Sequence, residues 1–394
     1  MKWASAVGTD PSFPRALDTA IRAVESELPK EPNFVILFVG VGFRSYWKSA
    51  PVILSRRWTS AVVVGASGRG VIGGLSEVQS PEGVSIAAAC LPEGCLEPFV
   101  VEVPKVGESP RVPQLVGEIA QPSGVMLLSN PYYVDGEQLL DGVQAGWPSI
   151  PVFGGLASGG EQATEHALFC DGELVDAAAV GVVFGEPLRF DTCVSPGCRA
   201  IGDPFIITRH RDGLIQEFDR GRPLDALMDL HDTLSARDRS LFGESLCVGL
   251  EVDAKSEARE VEDYLIRNIV GVNDEERGIQ VAAHLQDYQV ARFFVRDAVT
   301  SAEDLRKRLE ALATQVDLNQ ASALLLFTCV GRGVALYGRE GHDSDMLREK
   351  LGDFPVAGLF CNGEFGDLGG RTYLHGYTSV VVVVSVGQNS DQPV

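Results

Sequence analysis

The stretch from Val356 to Val384, VAGLFCNGEFGDLGGRTYLHGYTSVVVVV, joins two apolar segments through a glycine-rich loop. The first segment, which ends at Cys361, and the last have the length and unbroken hydrophobicity of strands that are covered on both faces. The loop between them carries Glu364 among glycines. An acid in this position predicts either a charged contact for a ligand or an ion pair that joins two strand ends.

The same arrangement occurs three times along the chain. Each unit has an apolar strand, a helical or polar stretch, and a second apolar strand that ends in glycines. The units run from NFVILFVGVG to AVVVGASGRGVIGG, from GVMLLSN to IPVFGGLASGG, and from SALLLFTCVGRG to PVAGLFCNGEFG. A crossover of this length lets the two strands lie parallel, so the glycine loops reach the sheet edge where open α/β sheets bind ligands. A further β-rich run after each unit predicts antiparallel pairing and therefore mixed sheets.

The chain has 394 residues, more than one hydrophobic core usually serves, so two domains are expected. We predict an α/β fold of mixed α+β character, with helices flanking mixed sheets. Two related domains would face each other across a cleft lined by the glycine loops. The predicted segments are a first domain over 1–200, a connecting hairpin around RDG and a helix opened by Pro223 over 201–240, a second domain over 241–386, and a flexible tail over 387–394.

Composition excludes several classes of function. The formal net charge is −21, and an acidic surface repels the phosphates of nucleic acids and of anionic membranes. No segment reaches the ~20 apolar residues that span a bilayer, and the N-terminus lacks the apolar core of a secretory signal. The eight cysteines form no C-x-x-C pair, which is typical of reduced cytoplasmic thiols. We predict a cytoplasmic protein without a metal or cofactor, because closely spaced metal ligands and a P-loop are both lacking.

The residues from Leu326 to Val383 resemble the FIST C domain, through a strand that ends in GRG, then PVxGxFxxGEfG and HGYT. The N-terminal half is similar to the FIST N domain, through GASGRGVIGG and VFGGLASGG. The resemblance implies an intracellular sensor of a small ligand, amino acids being the suggested ligands. Because no kinase, receiver or F-box module accompanies the pair, a separate signalling protein would carry the output. The acid in the family's first glycine loop is missing from SGRGVIGG, so its role is not transferred.

The C-terminal glycine loops supply the charged candidates for a ligand site. Arg332 follows Gly331, where glycine allows close approach to the backbone and the guanidinium could bind a carboxylate or phosphate. Glu364 could hold an amino group, so the pair would suit a zwitterion. The alternative is a structural ion pair between these two residues. Further candidates in the same stretch are Cys361, Asn362, Gly363 and His375.

The N-terminal glycine loops supply a neutral wall and a second cation. Gly154, Gly155 and Ser158 lie at one strand end and Asn130 at the neighbouring one, where ordinary turn chemistry is the alternative. Arg69 lies inside a G-x-G-x-x-G pattern. A dinucleotide site also needs a helix that begins at this loop, and GLSEVQSPEG does not predict one. Arg69 could instead help the loop amides to bind a carboxylate, or be an exposed arginine on a tight turn.

These observations favour a ligand-binding sensor without catalytic residues. The first alternative is an enzyme with a cysteine or acid centre, in which Cys361 or Cys329 attacks a small metabolite and His375 acts as the base. Both cysteines lie in apolar strands, and buried thiols are usually inert. The second alternative is an adaptor that acts through protein contact alone, which an exposed apolar patch without a cleft would favour.

Overall fold

The computed structural model describes residues 1–105, 107–113, 119, 121–252 and 264–387. They fall into two compact units: unit 1 combines Met1–Val194 with the residues from Leu305 onward, and unit 2 is Ser195–Asp304. This division differs from the predicted segments, because unit 1 takes strands from both 1–200 and 241–386. Apart from its first residue, the predicted tail over 387–394 lies outside the described residues.

Among the described residues, unit 1 contains three six-stranded mixed sheets. In spatial order, sheet 1 is β1 (Lys2–Gly8), β6 (Val84–Cys90), β2 (Phe34–Gly40), β3 (Val62–Gly68), β10 (Leu168–Cys170) and β11 (Glu173–Val175). Sheet 2 is β23 (Arg371–His375), β22 (Glu364–Leu368), β9 (Val152–Leu156), β8 (Pro122–Ser129), β12 (Ala179–Gly185) and β7 (Leu96–Val101). Sheet 3 is β13 (Leu188–Ser195), β24 (Ser379–Val386), β20 (Ala321–Cys329), β21 (Val356–Cys361), β4 (Val71–Gly73) and β5 (Ser76–Val78).

Each sheet carries one of the three repeated units, which we call repeats 1, 2 and 3. The two strands of each unit are parallel neighbours: β2 and β3, β8 and β9, and β20 and β21. The next long strand after each repeat pairs antiparallel with the first strand of that repeat. These strands are β6, β12 and β24. The predicted α/β fold, the parallel units and the mixed sheets are confirmed.

The repeats share a close contact at one position of their parallel pairs. A leucine of the first strand lies opposite a glycine of the second, and a Cβ on that glycine would come within 1.8 to 1.9 Å of the leucine carbonyl oxygen. The pairs are Leu37 with Gly65, Leu127 with Gly154, and Leu326 with Gly358. Since no other residue type lacks a Cβ, this spacing marks the three units as structural equivalents.

Helices pack on one face of each sheet. The described helices of unit 1 are α1 (Phe13–Glu27), α2 (Ala50–Arg57), α3 (Gly136–Gly146), α6 (Ala298–Gln315, which starts in unit 2), α7 (Val334–Tyr337) and α8 (His342–Leu351). The opposite faces of the three sheets meet in one core that includes Phe38, Phe153 and Phe327. Strands covered on both faces explain the unbroken apolar runs of the sequence. None of the described helices is both long and apolar enough to cross a membrane.

The hairpin that follows each repeat joins the sheet of another repeat. β4 and β5 follow β3 of sheet 1, but β4 pairs with β21 of sheet 3. β10 and β11 follow β9 of sheet 2 along the chain, but β10 pairs with β3 of sheet 1. β22 and β23 follow β21 of sheet 3, but β22 pairs with β9 of sheet 2. The exchange is therefore cyclic. The glycine loops are the places where the chain crosses from one sheet to the next.

Unit 2 is a closed β-barrel with two complete helices among its described residues, in addition to the start of α6. In barrel order the strands are β14 (Cys198–Arg211), β15 (Leu214–Phe218), β18 (Gly278–Val281), β17 (Tyr264–Asn273), β16 (Cys247–Glu251) and β19 (Val290–Arg296). The helices are α4 (Pro223–Thr233) and α5 (Ala236–Ser245). The predicted RDG hairpin and the helix that begins at Pro223 are both present. Asp212 and Gly213 take positive φ values of 50° and 79°, the conformation that a tight hairpin turn requires.

Candidate functional site

The carboxyl ends of the three repeats meet at one serine. The hydroxyl of Ser158, which follows β9, accepts a hydrogen bond from the amide N of Arg69 at 2.9 Å and donates one to the carbonyl O of Phe360 at 2.5 Å. Arg69 belongs to repeat 1 and Phe360 to repeat 3. The three predicted glycine loops thus come together. They do so inside unit 1, whereas the sequence-based expectation placed them across a cleft between two halves.

Three predicted residues occupy equivalent positions in this junction. Arg69, Ser158 and Asn362 each lie four residues beyond the glycine that faces a leucine in its parallel pair. Asn362 is exposed, and its amide N donates to the carbonyl O of Leu156 at 3.1 Å. The equivalent positions therefore differ in chemistry: a cation, a hydroxyl and an amide.

The glycines at the junction allow the loops to pack on one another. A Cβ on Gly155 would lie 2.6 Å from the carbonyl O of Gly363 and 2.7 Å from Sγ of Cys361. A Cβ on Gly363 would lie 2.8 Å from a methyl carbon of Leu374. Contacts this short leave no space for a side chain. These glycines are thus explained by the packing between sheets, and a ligand contact for them stays a prediction.

A small hollow lies beside the junction. It is lined by Arg69, Gly70, Gln79, Val330 and Phe360 and has a volume of about 20 Å³. A cavity of that size holds roughly one water molecule. The Arg69 side chain is exposed, and within the described ranges it forms no ion pair. An exposed cation beside the amide of Gln79 makes the mouth of the hollow suitable for an anion.

Arg332, the first predicted charged contact, is fully buried. Its Nε donates to Oδ2 of Asp343 at 2.9 Å and its Nη2 to Oδ1 at 3.3 Å. Nη2 also donates to the hydroxyl of Tyr337 at 2.6 Å, and the guanidinium carbon lies 5.6 Å from the centre of that ring. Sequence reasoning considered Glu364 as the partner of Arg332 and did not anticipate Asp343. A ligand could reach this guanidinium only if the ion pair opened.

Asp343 is the centre of a buried polar cluster. Besides Arg332, its carboxylate accepts hydrogen bonds from Nδ1 of His342 at 2.8 Å and from the hydroxyl of Ser379 at 2.8 Å. The hydroxyls of Thr328 and Ser379 lie 2.7 Å apart. Burial alone would raise the pKa of Asp343, but the charge of Arg332 and these hydrogen bonds hold it well below its usual range. The carboxylate is therefore ionised inside the protein.

Glu77 is a second buried acid in this region that sequence reasoning missed. It lies in β5, is 4% exposed, and accepts a hydrogen bond from the amide N of Ser344 at 2.7 Å. Burial and the charge of Asp343 raise the pKa of Glu77 to about 7, although the hydrogen bonds from Ser344 oppose the shift. The only sequence signal was an acid in a short strand pattern, and that pattern does not reveal its partner.

Glu364, the second predicted charged contact, begins β22 and is fully buried. Its Oε2 accepts a hydrogen bond from the amide N of Thr378 at 3.3 Å, and it lies opposite His375 in the ladder of β22 and β23. His375 is also buried, with Nε2 3.0 Å from the carbonyl O of Gly366. These contacts are structural, whereas the predicted ion pair of Glu364 with Arg332 and a role of Glu364 or His375 in ligand binding stay predictions.

The cysteines considered for catalysis lie side by side. Cys329 and Cys361 are opposite each other in the parallel pair of β20 and β21, and both are buried. Burial, with the charges of Glu364 and Cys329, raises the pKa of the Cys361 thiol well above its usual range. A neutral, buried thiol is a poor nucleophile, so the geometry does not favour the enzymatic alternative.

The remaining candidates have structural partners. Asn130 donates through Nδ2 to the carbonyl O of Ala163 at 3.0 Å, and its Oδ1 accepts from the amide N of Tyr132 at 3.1 Å. The bond from Tyr132 belongs to a turn, as the alternative for Asn130 stated, whereas the bond to Ala163 joins residues 33 positions apart along the chain. Gly154 lies within β9 at φ 135°, and Gly331 is half-buried next to Arg332. In the part of the chain that the structure describes, no group of three or more His, Cys, Asp or Glu is placed to hold a metal ion.

Comparison with known proteins identifies the family. The FIST N domain matches residues 33–220 and the FIST C domain matches residues 225–367. An uncharacterized protein of Mycobacterium bovis is 30% identical over 378 residues, which are 95% of this chain and 96% of the relative. An uncharacterized protein of Mycobacterium tuberculosis is 28% identical over 377 residues, 95% of this chain and 97% of the relative. An F-box/LRR-repeat protein of Arabidopsis thaliana is 21% identical over 243 residues, 51% of this chain and 44% of the relative. The chain belongs to the FIST family, whose domains are regarded as sensory domains of signal transduction.

Proposed function

We propose that this chain is a cytoplasmic sensor of a small carboxylate, an amino acid in the first instance, and that it binds the carboxylate at the junction of the three repeats. Arg69 would be the anion contact. The observation that carries this proposal is the exposed guanidinium of Arg69 beside the hollow, with its backbone held by Ser158. Arg332 and Glu364 are both buried, so Arg69 is the predicted cation that a ligand reaches without unpacking the core.

The small size of the hollow defines how a ligand would bind. Since about 20 Å³ holds roughly one water molecule, the carboxylate would lie at the mouth, against Arg69 and Gln79, with the remainder of the ligand outside. Deeper entry would require the turn at Val330 to move. Such a movement would shift the segment that carries Arg332, and we propose that a separate signalling protein detects this change.

The test is a binding screen by thermal shift, followed by calorimetry. The panel contains the common amino acids, the corresponding keto acids, the decarboxylated amines and nucleotides. We expect a carboxylate to bind to the wild type. Arg69→Gln should lower the affinity for that carboxylate about tenfold or more, because hydrogen bonds to charged groups contribute roughly 1.5–3 kcal/mol.

Arg56→Gln is the matched control, because Arg56 is exposed on α2 and lies away from the hollow. Its affinity should equal that of the wild type. Unchanged affinity in Arg69→Gln would remove Arg69 from the site. Equal binding of an amino acid and its decarboxylated amine would show that the carboxylate is not recognised.

A further inference from the structure

The β4–β5 hairpin of repeat 1 holds both short helices of repeat 3. Glu77 of the hairpin accepts a hydrogen bond from the amide N of Ser344 at 2.7 Å, and Gln79, which directly follows the hairpin, accepts one from the amide N of Val334 at 2.7 Å. The N-cap residue of each helix is a glycine, which has no side chain to accept these bonds. The hairpin therefore supplies, from a distant part of the chain, the acceptors that a capping side chain normally provides.

Glu77 meets several charged or titratable groups in this contact. Asp343 and His342 come from α8, and Tyr337 comes from α7. Arg332 is bound to Asp343, and the rings of Tyr337 and His342 stack with centroids 3.5 Å apart. When Glu77 is neutral, the buried charges of Asp343 and Arg332 balance. When Glu77 ionises, a second carboxylate charge appears beside Asp343 in a buried site.

We infer that ionisation of Glu77 loosens the hold of the β4–β5 hairpin on α8, so that the junction between repeats 1 and 3 responds to pH. The hairpin begins next to Gly70, which lines the hollow, so loosening also reaches the region of Arg69. This inference does not depend on ligand binding.

The direction of the effect follows from proton linkage. Burial and Asp343 raise the pKa of Glu77 from 4.5 to about 7 in the folded protein. Between those values the folded state binds more protons than the unfolded or locally opened state, so stability decreases as the pH rises. The stabilisation that neutral Glu77 contributes is complete below the pKa of the unfolded state. It is lost as the pH rises through the pKa of the folded state. The junction is therefore tight in mild acid and loose in mild base.

Hydrogen exchange of the α8 amides, His342–Leu351, tests this directly. Wild type and Glu77→Gln are compared at the same pH, so that the intrinsic pH dependence of exchange cancels. At about pH 8.5 we expect α8 to exchange roughly tenfold or more faster in the wild type, and at about pH 4, below the pKa of Glu77 in the opened state, we expect the two proteins to agree. Glutamine keeps an oxygen acceptor for Ser344 and cannot ionise. Glu77→Ala, which removes the acceptor, should speed the exchange at both pH values.

Glu173→Gln on the edge strand β11 is the matched control, because Glu173 is exposed. It should behave as the wild type at both pH values. The inference fails if wild type and Glu77→Gln show the same pH dependence. If Glu77→Gln does not fold, the wild type still decides: exchange of α8 relative to α1, each corrected for intrinsic rates, must rise with pH, and a constant ratio would contradict the inference.

Discussion

Arg69 and Arg332 have the same local sequence, GRGV at the end of a strand, and opposite environments. The Arg69 side chain is exposed, and its backbone N is bound by Ser158. The Arg332 side chain is 0% exposed and is bound by Asp343. The difference comes from what the rest of the chain brings to each loop, because α8 delivers a carboxylate to one arginine only. A motif of glycines around an arginine therefore does not identify a ligand site by itself.

The largest effect is expected from removing the buried cation. Arg332→Met should lower the free energy of unfolding by about 3–5 kcal/mol, because Asp343 stays buried without its countercharge. Arg69→Met is the matched control and should change it by less than about 0.5 kcal/mol, since it alters only an exposed side chain. Chemical denaturation measures both. Equal losses in the two variants would end the distinction between the two arginines.

A second variant shows whether charge is the cause of that loss. Arg332→Met combined with Asp343→Asn should be more stable than Arg332→Met alone, because the uncompensated carboxylate is gone. If the double variant loses the sum of the two single losses, packing rather than charge would explain the effect of Arg332.

An intermediate effect is expected from the serine that holds the backbone of Arg69. Ser158→Ala should cost about 1–3 kcal/mol, because the amide N of Arg69 loses its acceptor and the carbonyl of Phe360 loses its donor. Ser60→Ala, at an exposed serine, is the control and should stay within about 0.5 kcal/mol. A loss in Ser158→Ala no larger than in the control would mean that the junction of the three repeats does not depend on this residue.

The smallest effect on stability, and the largest on the proposed binding, belongs to Arg69. Arg69→Gln should leave the unfolding midpoint in denaturant unchanged, because within the described ranges no ion pair is lost. Any loss of ligand affinity in this variant would then report the site and not the fold. A clear drop in its midpoint would instead show that the guanidinium supports the junction.

The repeated units were predictable because their pattern has a local physical cause. Strands covered on both faces are apolar at every position, and a crossover of sufficient length allows parallel pairing. The glycines Gly65, Gly154 and Gly358 lie in these strands because a Cβ would meet the neighbouring carbonyl. The convergence of the glycine loops followed from the same reasoning.

The partners of the hairpins and of the buried acids were not predictable in this way. β4 and β5 are three residues each, and nothing in GVIGGLSEV indicates that β4 pairs with a strand nearly 300 residues later. Asp343 was visible at the start of a helix, but its contact with Arg332 depends on how the turn after β20 folds back over α8. Glu77 becomes buried only because its hairpin crosses to sheet 3.

The sequence by itself determined the three strand–crossover–strand repeats, the glycines at their closest contacts and the membership of the FIST family. These depend on periodicity and on side-chain size at single positions, which neighbouring residues reveal. Only the tertiary structure decided which sheet each hairpin joins, which arginine is exposed and which acids are buried. Burial and charge pairing are set by residues far apart along the chain, so a local pattern carries little information about them.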